Sequence, residues 1–231
     1  MTEHEIVGHD DWIEARKELL AKEKEFSRLR DELSRQRREL PWELVEKEYV
    51  FEGPQGKQTL AELFDGRTQL VVYHFMFDPD DDVGCKSCSF WADNFDPNVV
   101  HLKARDVTFV AVSRAPLNKL SAYKERMGWS FKWVSSAETD FNFDYGVSFA
   151  PAEHTSPVYN YGSLSPGIPE REGMSVFFKD EGGSVFHTYS AYARGIDLLN
   201  AAYNYLDLVP KGRDEGDRSQ FWVRRHDEYA D

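Results

Sequence analysis

The sequence contains little cysteine and no long apolar run. Two cysteines among 231 residues allow at most one intramolecular disulfide, so a framework of structural bridges is excluded. No apolar stretch approaches the roughly 20 residues that a membrane-spanning helix needs, and the first residues lack the basic-then-apolar order of a secretory signal. We therefore expect a soluble, cytoplasmic protein, in which a close pair of thiols is typically catalytic or metal-binding.

Basic residues are also scarce, and their shortage limits the partners. Lysine and arginine total 28 against 41 acidic residues, which gives a net charge of −13 and a pI near 5.0. Such a surface repels phosphate backbones, and no local basic patch is strong enough to overcome it. We expect neither nucleic acid nor a membrane as partner. The apolar fraction of 41%, rich in aromatic residues, is enough for one sizeable core.

The first 40 residues carry a narrow apolar stripe on a highly charged background. It repeats every seven residues, at Trp12, Leu19, Phe26, Leu33 and Leu40. This spacing predicts a helix of some 30 residues, about 45 Å long, which is longer than a compact domain of this size is wide. We interpret residues 1–41 as an N-terminal helical arm that pairs with a second subunit in a homodimer. The alternative is a helix lying along its own domain.

From residue 42 onward the pattern is that of an α/β domain. A strand, a turn and a return strand lead to a buried strand at 69–77, and further strands at 107–113 and 131–136 alternate with helices. This order predicts parallel strands with helices on both faces. The segments "MSVFFKDEGGSVFHTYS" and "GIDLLNAAYNYLDL" predict an antiparallel hairpin and a single closing helix.

Two further segments complete the predicted organisation. The domain extends over residues 42–209 and contains a long loop insertion at 149–173, rich in proline, glycine and tyrosine. A loop of this length is usually functional, and we expect it to be either a lid or a subunit interface. Residues 210–231 form a charged C-terminal tail.

The two cysteines lie close together in "DDDVGCKSC". Cys85 falls at the predicted beginning of a helix that follows a central strand, where free N–H groups and the helix dipole favour a thiolate. Cys88 lies one turn later on the same face, so the two sulfurs can close a small ring. Lys86 favours the Cys85 thiolate, whereas the three aspartates at 80–82 oppose it.

The order of these elements is similar to the thioredoxin fold, with a mixed central sheet. The segments "LVVYHFMF", "GCKSCSFWADNF", "VTFVAVSRAPL" and "WVRRHDEY" resemble an uncharacterised bacterial family of thioredoxin-like proteins, domain of unknown function 899, whose members are predicted dithiol-disulfide oxidoreductases. The resemblance implies that Cys85 is the nucleophile and Cys88 its resolving partner. It implies a small-molecule or protein disulfide as substrate and an unknown reductant, without cofactor or metal.

The same resemblance places further residues around the cysteines. Lys86 and Ser87 stand where thioredoxins have Gly-Pro, and Met174 or Ser175 stands where they have a cis-proline. Without that proline, we expect a small-molecule disulfide rather than an extended peptide. Trp91 is expected to line the site. His74, within the buried strand, is either a hydrogen-bonded core histidine or a proton-transfer partner of Cys88.

Three other functions remain open from the sequence. The first is a non-enzymatic thioredoxin-fold module for binding or assembly, in which the thiols are incidental. The second is a thiol peroxidase, although the threonine that precedes the cysteine in those enzymes is absent here. The third is half of a metal site, for which histidines would supply the remaining ligands, namely His74, His101, His154 and His187.

Overall fold

The first structural unit is a single long helix. A computed structural model describes residues 4–230 and divides the chain into two compact units, Met1–Pro41 and Trp42–Asp231. Helix α1 occupies His9–Glu39 of the first unit and contains no buried residue. The predicted N-terminal helix is confirmed, and it ends just before Pro41, since a proline ring cannot continue the hydrogen-bond ladder.

The second unit is built on one mixed sheet. In the described part of the chain, the sheet has eight strands in the order β1-β8-β7-β4-β5-β6-β2-β3. The central strands β4, β5 and β6 are parallel, and the other pairs are antiparallel. The strands are β1 Glu43–Leu44, β2 Val50–Gly53, β3 Gly56–Thr59, β4 Gln69–His74, β5 Val107–Ser113, β6 Lys132–Ser135, β7 Gly173–Lys179 and β8 Val185–Tyr192.

Helices cover both faces of this sheet. The α-helices of the second unit are α2 Leu60–Leu63, α3 Lys86–Ala92, α4 Asp96–Lys103, α5 Leu117–Arg126, α6 Phe141–Asp144 and α7 Ala201–Leu206. Short 3₁₀ helices occupy Pro151–Glu153, Ala193–Leu199 and His226–Glu228. Parallel strands joined through helices, followed by an antiparallel hairpin and a last helix, make this a thioredoxin-like α/β fold, as the sequence predicts.

Strand β4 separates two apolar cores because successive side chains point to opposite faces. Tyr73 belongs to the core that contains α3, α5 and α7. Leu70 and Val72 belong to the core on the other face, with α2 and α6. The cysteines lie in the first of these cores, so only alternate residues of β4 can reach them.

Two of the predicted elements differ in the structure. The strand predicted over 69–77 ends at His74, although the chain beyond it remains extended and Phe75 N donates to Val112 O at 2.9 Å. The prediction of a single closing helix over 195–208 is wrong, because a 3₁₀ helix at Ala193–Leu199 and helix α7 occupy this segment. Asn200 adopts an extended backbone, and its side chain caps α7 by accepting a hydrogen bond from Tyr203 N at 3.1 Å. An asparagine that can cap is a good starting point for a new helix.

The C-terminal tail packs on the rest of the second unit, to which it belongs. Trp222 contacts Phe90 of α3 with ring centroids 5.4 Å apart, and Arg126 of α5 forms an ion pair with Asp227 at 2.7 Å. These contacts bring the tail alongside the helix that carries the cysteines. Within residues 4–230, none of the helices combines the length and the apolar character needed to cross a bilayer.

Candidate active site

The main chain holds Cys85 at the beginning of helix α3. Cys85 is the N-cap residue, with a non-helical backbone, and α3 begins at Lys86. Its N–H donates to Met76 O at 3.1 Å, and its carbonyl accepts from the Ser89 N–H at 2.9 Å and the Ser89 hydroxyl at 2.8 Å. The backbone on both sides of the sulfur is therefore fixed before any substrate arrives.

The tail reinforces this position through the residue before the cysteine. Arg225 Nη2 donates to Gly84 O at 2.8 Å, and its Nε donates to the Tyr123 hydroxyl at 2.9 Å. A Cβ at Gly84 would lie 2.7 Å from Tyr123 Cε1 and 2.8 Å from Phe75 Cε1, so only glycine fits there. Sequence reasoning did not connect Arg225 with the cysteines, because it lies 141 residues away from Gly84 and no local pattern links the two.

The two thiols differ in exposure and in acidity. Cys85 is partly exposed, and the pKa of its thiol is lowered to about 7. A hydrogen bond from the Cys88 thiol has the largest effect, and the N–H groups of Cys88 and Ser87 add to it against the opposing effect of burial. Burial raises the pKa of Cys88 well above its ordinary value, and Cys85 adds to that effect. At neutral pH Cys85 is therefore partly in the thiolate form, whereas Cys88 stays protonated.

A cavity of about 330 Å³ opens beside Cys88. Met76 N lies 3.4 Å from Cys88 Sγ and donates a hydrogen bond to it. Tyr73 lines the same cavity and is fully buried, and its hydroxyl has no hydrogen-bond partner among the described residues. Burial and the nearby Cys88 sulfur raise the pKa of Tyr73 well above its ordinary value, so this hydroxyl stays protonated.

Several residues expected near the cysteines lie around this cavity. Ser87 and Trp91 line it, and the Trp91 indole N–H donates to Ile196 O at 2.9 Å. Met174 pairs with Tyr73 across β4 and β7 and belongs to the same core as Cys88, but it does not line the cavity. Lys86 is half-buried in the first turn of α3 and is likewise not part of the lining.

His74 and Ser175 lie on the opposite face of the sheet, which corrects their expected place beside the cysteines. His74 Nε2 is 2.8 Å from Ser175 Oγ, and its ring stacks on Phe141 in the other core. Burial lowers the pKa of His74 to about 3, so its imidazole is neutral. Alternation along β4 puts Tyr73 on the cysteine face and therefore turns His74 away, which excludes direct proton transfer with Cys88. His74 is a hydrogen-bonded core histidine.

The end of the long loop delivers two charged residues to the cavity. The Tyr159 hydroxyl donates to Glu172 O at 2.7 Å and accepts from Ala193 N at 2.8 Å, which fixes the loop beside β7. Arg171 and Glu172 both line the cavity. Sequence reasoning missed both residues, although they immediately precede the strand at which it expected the site.

The described residues contain neither the cis peptide bond of a thioredoxin site nor the ligand cluster of a metal site. Residues 4–230 contain no cis peptide bond, including the bonds around Met174. Within the same residues, no group of three or more histidine, cysteine and acidic side chains is arranged to hold a metal ion.

The comparisons with known proteins give a family and several distant structures. A family model described as "Bacterial protein of unknown function" (DUF899) matches residues 1–229. No curated protein matches the chain. Among solved structures, the chain is similar to peroxidoxin BcpB from Mycobacterium tuberculosis, with 15% identity, a TM-score of 0.46 and coverage of 69% of this chain and 93% of that one.

Two more structures show the same level of similarity. A cysteine-to-serine mutant of peroxiredoxin Q from Xanthomonas campestris has 14% identity and a TM-score of 0.46, with coverage of 68% of this chain and 89% of that one. A putative thiol:disulfide interchange protein DsbE from Chlorobium tepidum has 12% identity and a TM-score of 0.41, with coverage of 71% and 94%. At these scores the likenesses carry no argument about chemistry.

Proposed function

Because the chain belongs to the bacterial family of unknown function DUF899, membership brings no activity with it, and we propose from the site that the protein is a dithiol-disulfide oxidoreductase. Cys85 is the nucleophile and Cys88 the resolving thiol. The observation that carries the proposal is the geometry of the pair: Cys85 is the partly exposed N-cap of α3 and Cys88 lies buried one turn later, an arrangement that lowers the pKa of the first thiol and raises that of the second. Perturbed, paired titratable groups beside a cavity are typical of active sites.

The reaction proceeds in two exchanges. The Cys85 thiolate attacks one sulfur of the substrate disulfide, the substrate S–S bond breaks, and one substrate thiolate leaves. Cys88 then gives its proton to the thiolate that has left and attacks the Cys85 sulfur; the Cys85–Cys88 disulfide forms, the mixed disulfide breaks, and the second substrate half leaves as a thiolate that takes a proton from water. Two thiols of the protein are oxidised and one substrate disulfide is reduced to two thiols. A dithiol reductant, as found in the cytoplasm, would return the protein to its starting state.

The geometry supports this order of events. The thiolate is the reactive form of cysteine, and only Cys85 populates it appreciably at neutral pH. Cys88 receives a hydrogen bond from Met76 N, which stabilises its thiolate whenever it forms. Ser87 and Trp91 are proposed as walls of the site. Met174 packs behind them in the core that contains Cys88, and Lys86 lies in the first turn of α3 outside the cavity.

Trapping the mixed disulfide tests the proposal. The reduced protein, freed of reductant, is mixed with 2-hydroxyethyl disulfide and followed by intact mass. The wild type should lose two thiols without a lasting adduct. Cys88→Ser should accumulate a mercaptoethanol adduct on Cys85, and Cys85→Ser should react at least tenfold more slowly. An equal rate of modification in Cys85→Ser and the wild type would overturn the assigned nucleophile.

The same assay separates the competing functions. If hydrogen peroxide oxidises Cys85 efficiently while the disulfide does not, the protein is a thiol peroxidase. If neither reagent reacts faster than with an ordinary exposed thiol, the fold serves as a binding or assembly module. The lowered pKa of Cys85 favours a redox role over inert thiols.

The N-terminal helix supports a proposal about assembly. Its apolar stripe includes Leu19 and Phe26, which are 53% and 66% exposed. We propose that two copies pair along this stripe to form a homodimer, because a seven-residue repeat is the pattern of helix pairing. Light scattering of the full chain should give a dimer mass, and Leu19→Glu should reduce it to a monomer mass. A monomeric wild type would refute the proposal.

A further inference from the structure

The cavity beside Cys88 carries two charges that lack partners of opposite sign. Arg171 Nε donates to Pro166 O at 2.6 Å, and the guanidinium lies 5.9 Å from the centre of the Tyr159 ring. These contacts orient the side chain without neutralising it. Neither Arg171 nor Glu172 forms an ion pair with any described residue, although both are half-buried.

The other charges of the cavity are already paired. Arg213 Nη1 lies 3.1 Å from Asp197 Oδ2, and its Nη2 lies 2.8 Å from Asp207 Oδ2. Arg194 lies 3.4 Å from Asp197 and is almost fully exposed. A ligand in this cavity gains most binding free energy by pairing with Arg171 and Glu172, because these charges are partly removed from water and have no partner of opposite sign.

The interior of the cavity is suited to the body of a small molecule. Met76 and the aromatic rings of Trp91 and Tyr203 form apolar walls, and the Tyr73 hydroxyl is a buried donor without a partner in the described chain. A volume of about 330 Å³ lies at the small end of the range for ligand pockets and is too small for a folded partner. These dimensions and charges suit a small molecule that carries at least one positive and one negative group.

We propose that this cavity binds a zwitterionic, low-molecular-weight disulfide of the amino-acid type. Its carboxylate binds Arg171, its ammonium group binds Glu172, and its sulfur atoms lie at the Cys88 end of the cavity, where Cys85, which is not itself part of the lining, stands one helical turn before Cys88. The inference rests on the proposed function and adds the substrate class to it. In one turnover the two protein thiols become the Cys85–Cys88 disulfide, and the substrate disulfide becomes two free amino-acid thiols.

Four disulfides separate the two charge contributions. Cystine carries both groups, 3,3′-dithiodipropionate only carboxylates, cystamine only ammonium groups, and 2-hydroxyethyl disulfide neither. The reduced protein, freed of reductant, is mixed with each disulfide in single turnover, and the loss of its thiols is followed. Each rate constant is divided by that of dithiothreitol with the same disulfide, which removes the intrinsic reactivity of the substrate. The normalised rate for cystine should exceed that for 2-hydroxyethyl disulfide by at least tenfold.

Variants assign each charge to one residue. Arg171→Gln should lower the normalised rates for cystine and 3,3′-dithiodipropionate about tenfold, with those for cystamine and 2-hydroxyethyl disulfide unchanged relative to each other. Arg171→Lys, which keeps the charge, should retain part of the preference. Glu172→Gln should lower the rates for cystine and cystamine relative to the other two. These ratios are independent of any change in the reactivity of the cysteines.

Matched controls remove the same charges elsewhere on the protein. Arg105→Gln lies at an exposed position before β5, and Glu181→Gln lies at the turn of the β7–β8 hairpin. Neither should change the order of the four substrates. Equal normalised rates for all four disulfides, unaffected by the cavity variants, would overturn the substrate class and leave the proposed function intact. Failure of the wild type to react with any of them would instead overturn the proposed function.

Discussion

Replacing the buried carboxyl of Glu170 should change how the stability of the protein depends on pH. Glu170 is 5% exposed, and its Oε1 has no hydrogen-bond partner in the described structure. Burial raises its pKa from 4.5 to about 8, and Asp78 adds to this effect. Arg114, with Nη1 3.9 Å from Glu170 Oε1, opposes it. The more distant Asp81 also raises the pKa.

The sign of the effect follows from proton binding. Between pH 4.5 and about 8 the folded protein keeps a proton on Glu170 that the unfolded chain has lost. This stabilisation is complete below pH 4.5 and is lost as the pH rises through 8, at about 1.4 kcal/mol per pH unit. Over about two pH units, the free energy of unfolding of the wild type should therefore fall by roughly 2.7 kcal/mol relative to Glu170→Gln.

Denaturant unfolding measures this difference. Glu170→Gln keeps the shape of the side chain but cannot titrate, so the free energy of unfolding of the wild type should fall steadily relative to that of the variant between about pH 5.5 and pH 7.5. Glu181→Gln, on an exposed turn, serves as the control and should follow the wild type throughout. Parallel curves for the wild type and Glu170→Gln would refute the claim that this carboxyl stays protonated in the folded protein.

Three further substitutions test the packing around the cysteines. Gly84→Ala should destabilise the protein by about 1–3 kcal/mol in denaturant unfolding, because the added methyl group meets Tyr123 and Phe75; an unchanged midpoint would contradict the close approach. Arg225→Ala should lower the free energy of unfolding by about 1.5–3 kcal/mol, since it removes charge-assisted hydrogen bonds to Gly84 O. It should also speed amide exchange in the loop that precedes α3, and unchanged exchange there would show that the tail does not fix this loop. Tyr73→Phe should raise the free energy of unfolding by about 1 kcal/mol, because the buried Tyr73 hydroxyl has only the Cys88 sulfur beside it and no well-formed hydrogen bond to the described residues; a loss of stability would show that its contact with that sulfur is a stabilising hydrogen bond.

The fold could be predicted well from the sequence because its signals are local. The stripe that includes Leu19 and Phe26 marks α1, and the apolar run at 107–113 matches β5 residue for residue. The prediction of one closing helix failed at Asn200. This residue fits the 3.6-residue pattern of a helix interior, but its side chain caps a new helix, and periodicity does not distinguish these two roles.

The cysteine pair could be predicted from spacing, but its surroundings could not. Cys85 and Cys88 are three residues apart, so a helix beginning there brings them together. Arg225 reaches Gly84 from the other end of the chain, and no local pattern encodes that contact. His74 was ambiguous for a related reason: a strand buried on both faces gives no alternation from which to read the direction of a side chain.

The pH dependence of alkylation tests the central claim most directly. Lys86 lies between the two cysteines, so trypsin separates them into different peptides, and mass spectrometry can follow iodoacetamide labelling of each thiol in the native reduced protein. Cys85 should label first, with a midpoint at a pH of about 7, while Cys88 stays unlabelled until the pH is far higher. Equal labelling of both cysteines, or a midpoint for Cys85 at the ordinary thiol value near 9.0, would contradict the assignment of Cys85 as the reactive thiolate.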